Sequence, residues 1–162
     1  MNNEVEAIYN YLYWNEALSS SGKPTQEQLQ AICQAGFEVL INLLPVKETH
    51  EEEASLVQGM GMEYIHIPVW WDSPERYDIQ QFFDAMQHAQ GKRVFVHCAA
   101  NMRATAFLYL YHVLLLKQDR EAVRAQMHCI WTPNPIWHTF IERTLSHYSS
   151  DRKSTRLNSS HS

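Results

Sequence analysis

Three cysteines in 162 residues, Cys33, Cys98 and Cys129, cannot close a disulfide framework. The core must therefore be apolar, and the thiols suit a reducing compartment. Nine histidines are present, yet no Cys-x-x-Cys, His-x-His or His-Glu-x-x-His spacing occurs, so no metal and no other cofactor is expected. Basic residues are few. Three of the 13 fall in residues 152–162, which hold no acid, and the remainder sets 10 of them against 18 acidic residues, a formal −8. A protein that tracks a phosphate backbone has the opposite balance, so no nucleic-acid partner is expected. The apolar run Ala104 to Leu116 is too short to span a bilayer, so no membrane partner is expected either. The opening MNNEVEAIYN lacks the basic-then-apolar order of a signal peptide, and the expected address is the cytoplasm.

What is present is core material: 45% hydrophobic and 12% aromatic residues, enough for one well-filled domain over residues 1–151. Residues 152–162 are polar and unpatterned, hence expected to be disordered. Their STRLNSSHS resembles translated sequencing-adaptor read-through and is set aside as an artefact.

Along the chain, Glu4 to Ala17 carries apolar residues at roughly helical spacing and predicts a helix. Thr25 and Gln28 form a capping box for a helix that Gly36 ends. Phe37 to Leu44 reads as a buried strand, Glu51-Glu52-Glu53 as the first turn of a helix, and Met62 to Val69 as an alternating strand. Ser73-Pro74 predicts a helix start, with Ile79, Phe82, Phe83 and Met86 on one face until Gly91. Asp119 to Cys129 and Asn134 to Tyr148 read as two closing helices. Strands alternating with helices imply a single three-layer α/β domain, its mostly parallel central sheet flanked by helices. In such sheets ligands sit at the carboxyl ends of strands.

One stretch, RVFVHCAANMRAT from Arg93 to Thr105, concentrates the chemistry. A short buried strand, Val94 to Val96, runs into His97-Cys98, and a helix follows from near Arg103. A tight strand-to-helix turn aims backbone N–H groups and the positive end of the helix dipole at one spot, which suits an anion. A helix N-terminus beside a cation also favours the thiolate, the nucleophilic form of cysteine. Arg103 offers a planar fork that matches two oxygens of a phosphate. Together these describe a cysteine-dependent hydrolase of phosphate esters.

With His97, Cys98 and Arg103 in place, the chain resembles the cysteine phosphatases of the tyrosine/dual-specificity superfamily, whose signature is H-C-x5-R; here the spacing is C-x4-R. SGKPTQEQLQAICQAGFEVLINL and GMEYIHIPV resemble more specifically the small bacterial branch related to the beta-lactamase-hydrolase-like phosphatases, whose members share the shorter loop. The resemblance implies Cys98 as nucleophile and Ala99, Ala100, Asn101, Met102 and Arg103 as the phosphate-binding loop. It makes Asp72, in WWDSP, the candidate general acid. His97 is read as a strut for the loop, while Trp70 and Trp71 line a pocket or the core. Two positions depart from the pattern: Asn101 stands where the family has glycine, and Ala104 where it has a hydroxyl that steadies the leaving thiolate. Thr105, one place on, is the nearest substitute. Substrates would be phosphorylated proteins or small molecules. Two other readings stand beside this one: a rhodanese-like sulfurtransferase, which uses a loop of the same length, and a phosphate-binding pseudophosphatase without turnover.

Overall fold

A computed structural model describes residues 3–45 and 47–160, the side chains of 47–49 and 150–160 excepted. Five strands form one sheet in the order β1-β2-β5-β3-β4: β1 Leu12–Asn15, β2 Leu18–Ser21, β3 Val39–Asn42, β4 Glu63–His66 and β5 Val94–His97. The last four in that spatial order run parallel, and β1 joins the β2 edge antiparallel. Helices α1 Asn3–Glu6, α2 Gln26–Gln34 and α3 Lys47–Gly59 precede α4 Arg76–His88, α5 Met102–Leu114, α6 Arg120–His128 and α7 Pro135–Ser160.

The strand period of two divides the core. On one face Leu40 and Phe95 pack with Val5, Leu29, Ile32 and Val57 from the first three helices. On the other, Leu18, Val39, Ile41, Val94 and Val96 meet Phe82, Phe107 and Trp137 of α4, α5 and α7. Helix α5 is buried nearly all round, as its unbroken apolar run requires, and Phe107 lies against Phe82, Trp137 and Phe140. Truncating Phe107 to alanine would cost about 3–5 kcal/mol.

The local signals held at several helix starts. Thr25 Oγ1 accepts from Gln28 N at 3.1 Å while Gln28 Oε1 accepts from Thr25 N at 3.0 Å, the reciprocal box expected there. Asp119 and Asn134 cap α6 and α7 through Ala122 N and Trp137 N.

Two expectations need correction. The helix expected over Glu4 to Ala17 is a four-residue helix followed by the β1–β2 hairpin. Leu18-Ser19-Ser20-Ser21 carries little apolar signal, yet it is wholly buried, because it pairs with β5 on one side and β1 on the other. Its hydroxyls are satisfied by Tyr11 Oη, 2.9 Å from Ser19 Oγ, by Trp14 Nε1, which donates to Ser20 Oγ at 2.9 Å, and by the Gly22 carbonyl. Aromatic residues read as a helical stripe are thus the lids of a polar strand. Helix α4 begins at Arg76 rather than at Ser73-Pro74, because Asp78 accepts from Glu75 N and makes Glu75 the cap. Of the tail expected to be disordered, residues 152–160 continue the backbone of α7 and 161–162 lie outside the described residues.

Candidate active site

Strand β5 ends at His97 and α5 opens at Met102, leaving Cys98 to Asn101 as the turn. Asn101 takes the left-handed conformation, φ 65° and ψ 9°, one of the few places where asparagine stands in for glycine at little cost. Its Nδ2 donates to Asn10 O at 2.7 Å, and Asn10 returns a bond from Nδ2 to Ala100 O at 3.1 Å. Lys23 N donates to Ala99 O at 3.0 Å. Two loop carbonyls are thus drawn toward the N-terminal segment. In a trans peptide the N–H points opposite to the C=O, so the amides of Ala100 and Asn101 face away from that segment. Gly22 permits the approach: a Cβ there would lie 2.7 Å from Ala99 O and 2.7 Å from Tyr9 Cδ2.

Cys98 is 1% exposed and carries a free thiol. Arg103, the second residue of α5, is 8% exposed. Its Nη1 donates to Val69 O at 3.0 Å, and its guanidinium lies 5.6 Å from the ring centre of Trp71. Trp71 is held by Trp131 and Trp137, 5.5 and 5.8 Å away, and its carbonyl accepts from Trp137 Nε1. The buried Nε of Arg103 has no partner, and no described carboxylate forms a salt bridge with this arginine. An unpaired buried donor costs about 1–3 kcal/mol, which an anionic ligand would recover. The arrangement suits a tetrahedral oxyanion held beside a thiol.

Behind the turn, Ser21, His97, Asn42 and His66 share one register row at the carboxyl ends of β2, β5, β3 and β4. The buried His97 Nε2 sits 2.9 and 3.0 Å from the two oxygens of Glu53, itself buried on α3. Tyr64 donates its hydroxyl to Glu53 Oε2 at 2.6 Å and accepts from Asn42 Nδ2 at 2.9 Å. His97 Nδ1 lies 3.3 Å from the Cys98 carbonyl. Burial pushes the Glu53 carboxyl up, but the hydrogen bond and charge of His97, then the Tyr64 hydroxyl, outweigh it and hold the group below its ordinary range. Burial and the Glu53 bond push the Tyr64 phenol well above its usual value.

Of the residues singled out in the sequence, His97, Cys98, Ala99, Ala100, Asn101, Met102, Arg103 and Thr105 come together in this turn and the first turn of α5. Thr105 Oγ1 lies 2.8 Å from Asn101 O and 3.1 Å from Met102 O, so its hydroxyl braces the loop backbone. Ala104 is fully buried and offers no hydroxyl. Asp72 is exposed on the turn after Trp71, lining a groove with Pro74, Pro135, Ile136 and Arg143. Trp70 is 62% exposed, whereas Trp71 covers Arg103.

Sequence reasoning missed Glu53, Tyr64, Asn42, Asn10 and Gly22. Glu51-Glu52-Glu53 read as a helix's first turn; it lies further along α3, and Glu53 faces inward. The available signal was polar: Asn42, His66 and His97 each close a strand.

Residues 13–133 match the family model described as "DSP-PTPase phosphatase fused to NAD+ Kinase". A comparison with curated proteins gave no match. Among solved structures, a DUF442 protein of Shewanella putrefaciens CN-32 is 35% identical over 91% of this chain and 99% of its own, with a TM-score of 0.81. Two others share the fold at lower identity. The core catalytic domain of PP-IP phosphatase SIW14 from S. cerevisiae is 12% identical over 95% and 93% of the two chains, TM-score 0.72. P. aeruginosa TpbA is 14% identical over 83% and 84%, TM-score 0.67. With its sheet order, its strand-turn-helix at Cys98 and a family model spanning most of its length, the chain belongs to the DSP-PTPase family described as fused to NAD+ kinase, within the cysteine-based tyrosine/dual-specificity phosphatase superfamily.

Proposed function

We propose that this protein hydrolyses phosphate monoesters through a cysteinyl-phosphate intermediate. The observation that carries the reading is the buried Arg103, in the first turn of α5, whose Nε lacks a partner, at the other end of the turn from the buried thiol of Cys98. The Cys98 thiolate attacks phosphorus and the bond to the ester oxygen breaks. Asp72 gives its proton to the departing alkoxide, then takes one from the water that cleaves the S–P bond and releases inorganic phosphate. Arg103 and the loop amides hold the equatorial oxygens throughout. Three free cysteines are in keeping with action in the cytoplasm.

A second reading, phosphate binding with little turnover, has one observation in its favour. Ala104 is buried without a hydroxyl and Thr105 is engaged with backbone carbonyls, so neither position is free to steady the Cys98 thiol as it leaves.

The test is a substrate panel run beside thiosulfate. Fold relatives supply two members: phosphotyrosine, present in a complex with P. aeruginosa TpbA, and the substrates of a PP-IP phosphatase. The family's fusion to NAD+ kinase adds NADP+, whose 2′-phosphate such a kinase installs. Turnover lost in Cys98→Ser with phosphate binding retained is the expected result. Sulfur transfer from thiosulfate to cyanide without phosphate release would establish the sulfurtransferase instead. Arg103-dependent phosphate binding without turnover would establish the pseudophosphatase.

A further inference from the structure

Away from the Cys98 turn, α5, α6 and α7 enclose a cavity of about 280 Å³ that the mechanism above makes no use of. Two of its walls repeat one pattern. Arg124, Met127 and His128 fall at i, i+3 and i+4 on α6, and His138, Ile141 and Glu142 do the same on α7. Each helix therefore turns a polar, apolar, polar face to the same space. Met127 and Ile141 are buried and form an apolar floor, while the four polar side chains stand exposed around it.

Tyr109 of α5 also lines this cavity and is 1% exposed, yet its hydroxyl has no hydrogen-bond partner among the described residues. Buried phenols ordinarily find a partner, and one left without it costs free energy that a bound polar group would recover. The rim has a matching gap. Arg124 forms no salt bridge with a described carboxylate and Glu142 none with a described cation, so one fixed positive and one fixed negative charge border the cavity without meeting. A simple anion would be opposed by Glu142, and a simple cation by Arg124. A small zwitterion with an apolar body satisfies both. Its carboxylate takes the Arg124 fork and the Tyr109 hydroxyl, its ammonium goes to Glu142, and its apolar part lies on Met127 and Ile141. The volume, at the low end for ligand cavities, limits that body to the size of one side chain.

We propose that this cavity binds a free amino acid with an apolar side chain, at a site separate from the phosphate site. Tyr109 lies beyond Arg103 on the same helix, about 9 Å further along its axis. None of the residues lining the cavity belongs to the Cys98 turn.

The test is calorimetric titration of the full chain with L-phenylalanine, L-leucine and L-methionine, at least one of which should bind saturably and tighter than about 1 mM. The same molecule without its amine, or without its carboxylate, should bind at least about tenfold more weakly, because each loses a charge-assisted hydrogen bond. For phenylalanine these controls are 3-phenylpropanoate and 2-phenylethylamine. Arg124→Gln and Glu142→Gln, both at exposed positions, should each weaken the amino acid by about tenfold, and Tyr109→Phe, which keeps the ring, by about threefold or more. Saturating inorganic phosphate should leave the affinity unchanged. The proposal is overturned if none of the three amino acids binds saturably, if either stripped molecule binds as well as its parent, if Arg124→Gln and Glu142→Gln have no effect, or if phosphate displaces the amino acid. No ester enters these titrations, so a chain inactive on every ester would sink the proposed function and leave this site to be judged on its own binding.

Discussion

Trp131 donates its indole N–H to the hydroxyl of Thr105 at 3.1 Å, and that hydroxyl lies 2.8 Å from the carbonyl of Asn101, which it meets as donor. The hydroxyl nearest in sequence to the missing one at position 104 is thereby committed to the loop's backbone. Thr105→Val keeps the shape but strands a partly buried indole donor, while the Asn101 carbonyl keeps its bond from the Thr105 N–H at 3.1 Å. It should lower stability by about 1–3 kcal/mol in urea unfolding and leave the pH midpoint of Cys98 alkylation in place. A moved midpoint with unchanged stability would show that Thr105 acts on the thiol instead.

Asn101 pairs a left-handed backbone with a side-chain tie to Asn10. Asn101→Gly should keep the conformation and lose only that tie, about 1 kcal/mol. Asn101→Val adds backbone strain of about 1–3 kcal/mol and should weaken phosphate binding, measured by calorimetry, more than the glycine variant does. Equal affinities in the two variants would remove the case for a conformational role.

Asp72 follows Trp71, whose ring lies on Arg103, yet its own carboxylate is exposed in the groove beside α7. If it protonates the leaving group, Asp72→Asn should slow alkyl phosphates by about 10²–10⁴-fold and leave activated aryl phosphates nearly untouched. Steady-state rates on one substrate of each kind decide this; an equal loss on both would point to a structural part for Asp72.

His112 is buried on α5, stacked on Trp14 at 4.8 Å. Burial pushes its ring below the ordinary histidine range, against the opposing bond to the Leu108 carbonyl. The folded state therefore resists a proton that the unfolded chain accepts. Its contribution is present above about pH 6.5 and is lost as pH falls from there through the lowered folded value. Over that window wild type should lose up to about 1.4 kcal/mol per pH unit relative to His112→Phe, read from urea midpoints. Parallel curves for the two proteins would contradict it.

Local chemistry was legible in the residues themselves. The capping box at Thr25 and Gln28, the caps at Asp119 and Asn134, and the left-handed bend that Asn101 tolerates each depend on atoms only a few positions apart. So does the turn that sets Cys98 and Arg103 at two ends of a few residues, and the β/α alternation that makes the sheet parallel. What tertiary structure alone decided depends on register and on which strand lies next to which. A polar Leu18–Ser21 becomes a buried strand only because β1 and β5 close on it with Tyr11 and Trp14 as partners. Glu53 in an acidic run becomes a buried partner of His97 only because α3 crosses the end of β5, 44 positions away in the chain. Burial turns on the neighbours that arrive from elsewhere, and a carboxylate or a serine looks the same in sequence whether water or an imidazole will meet it.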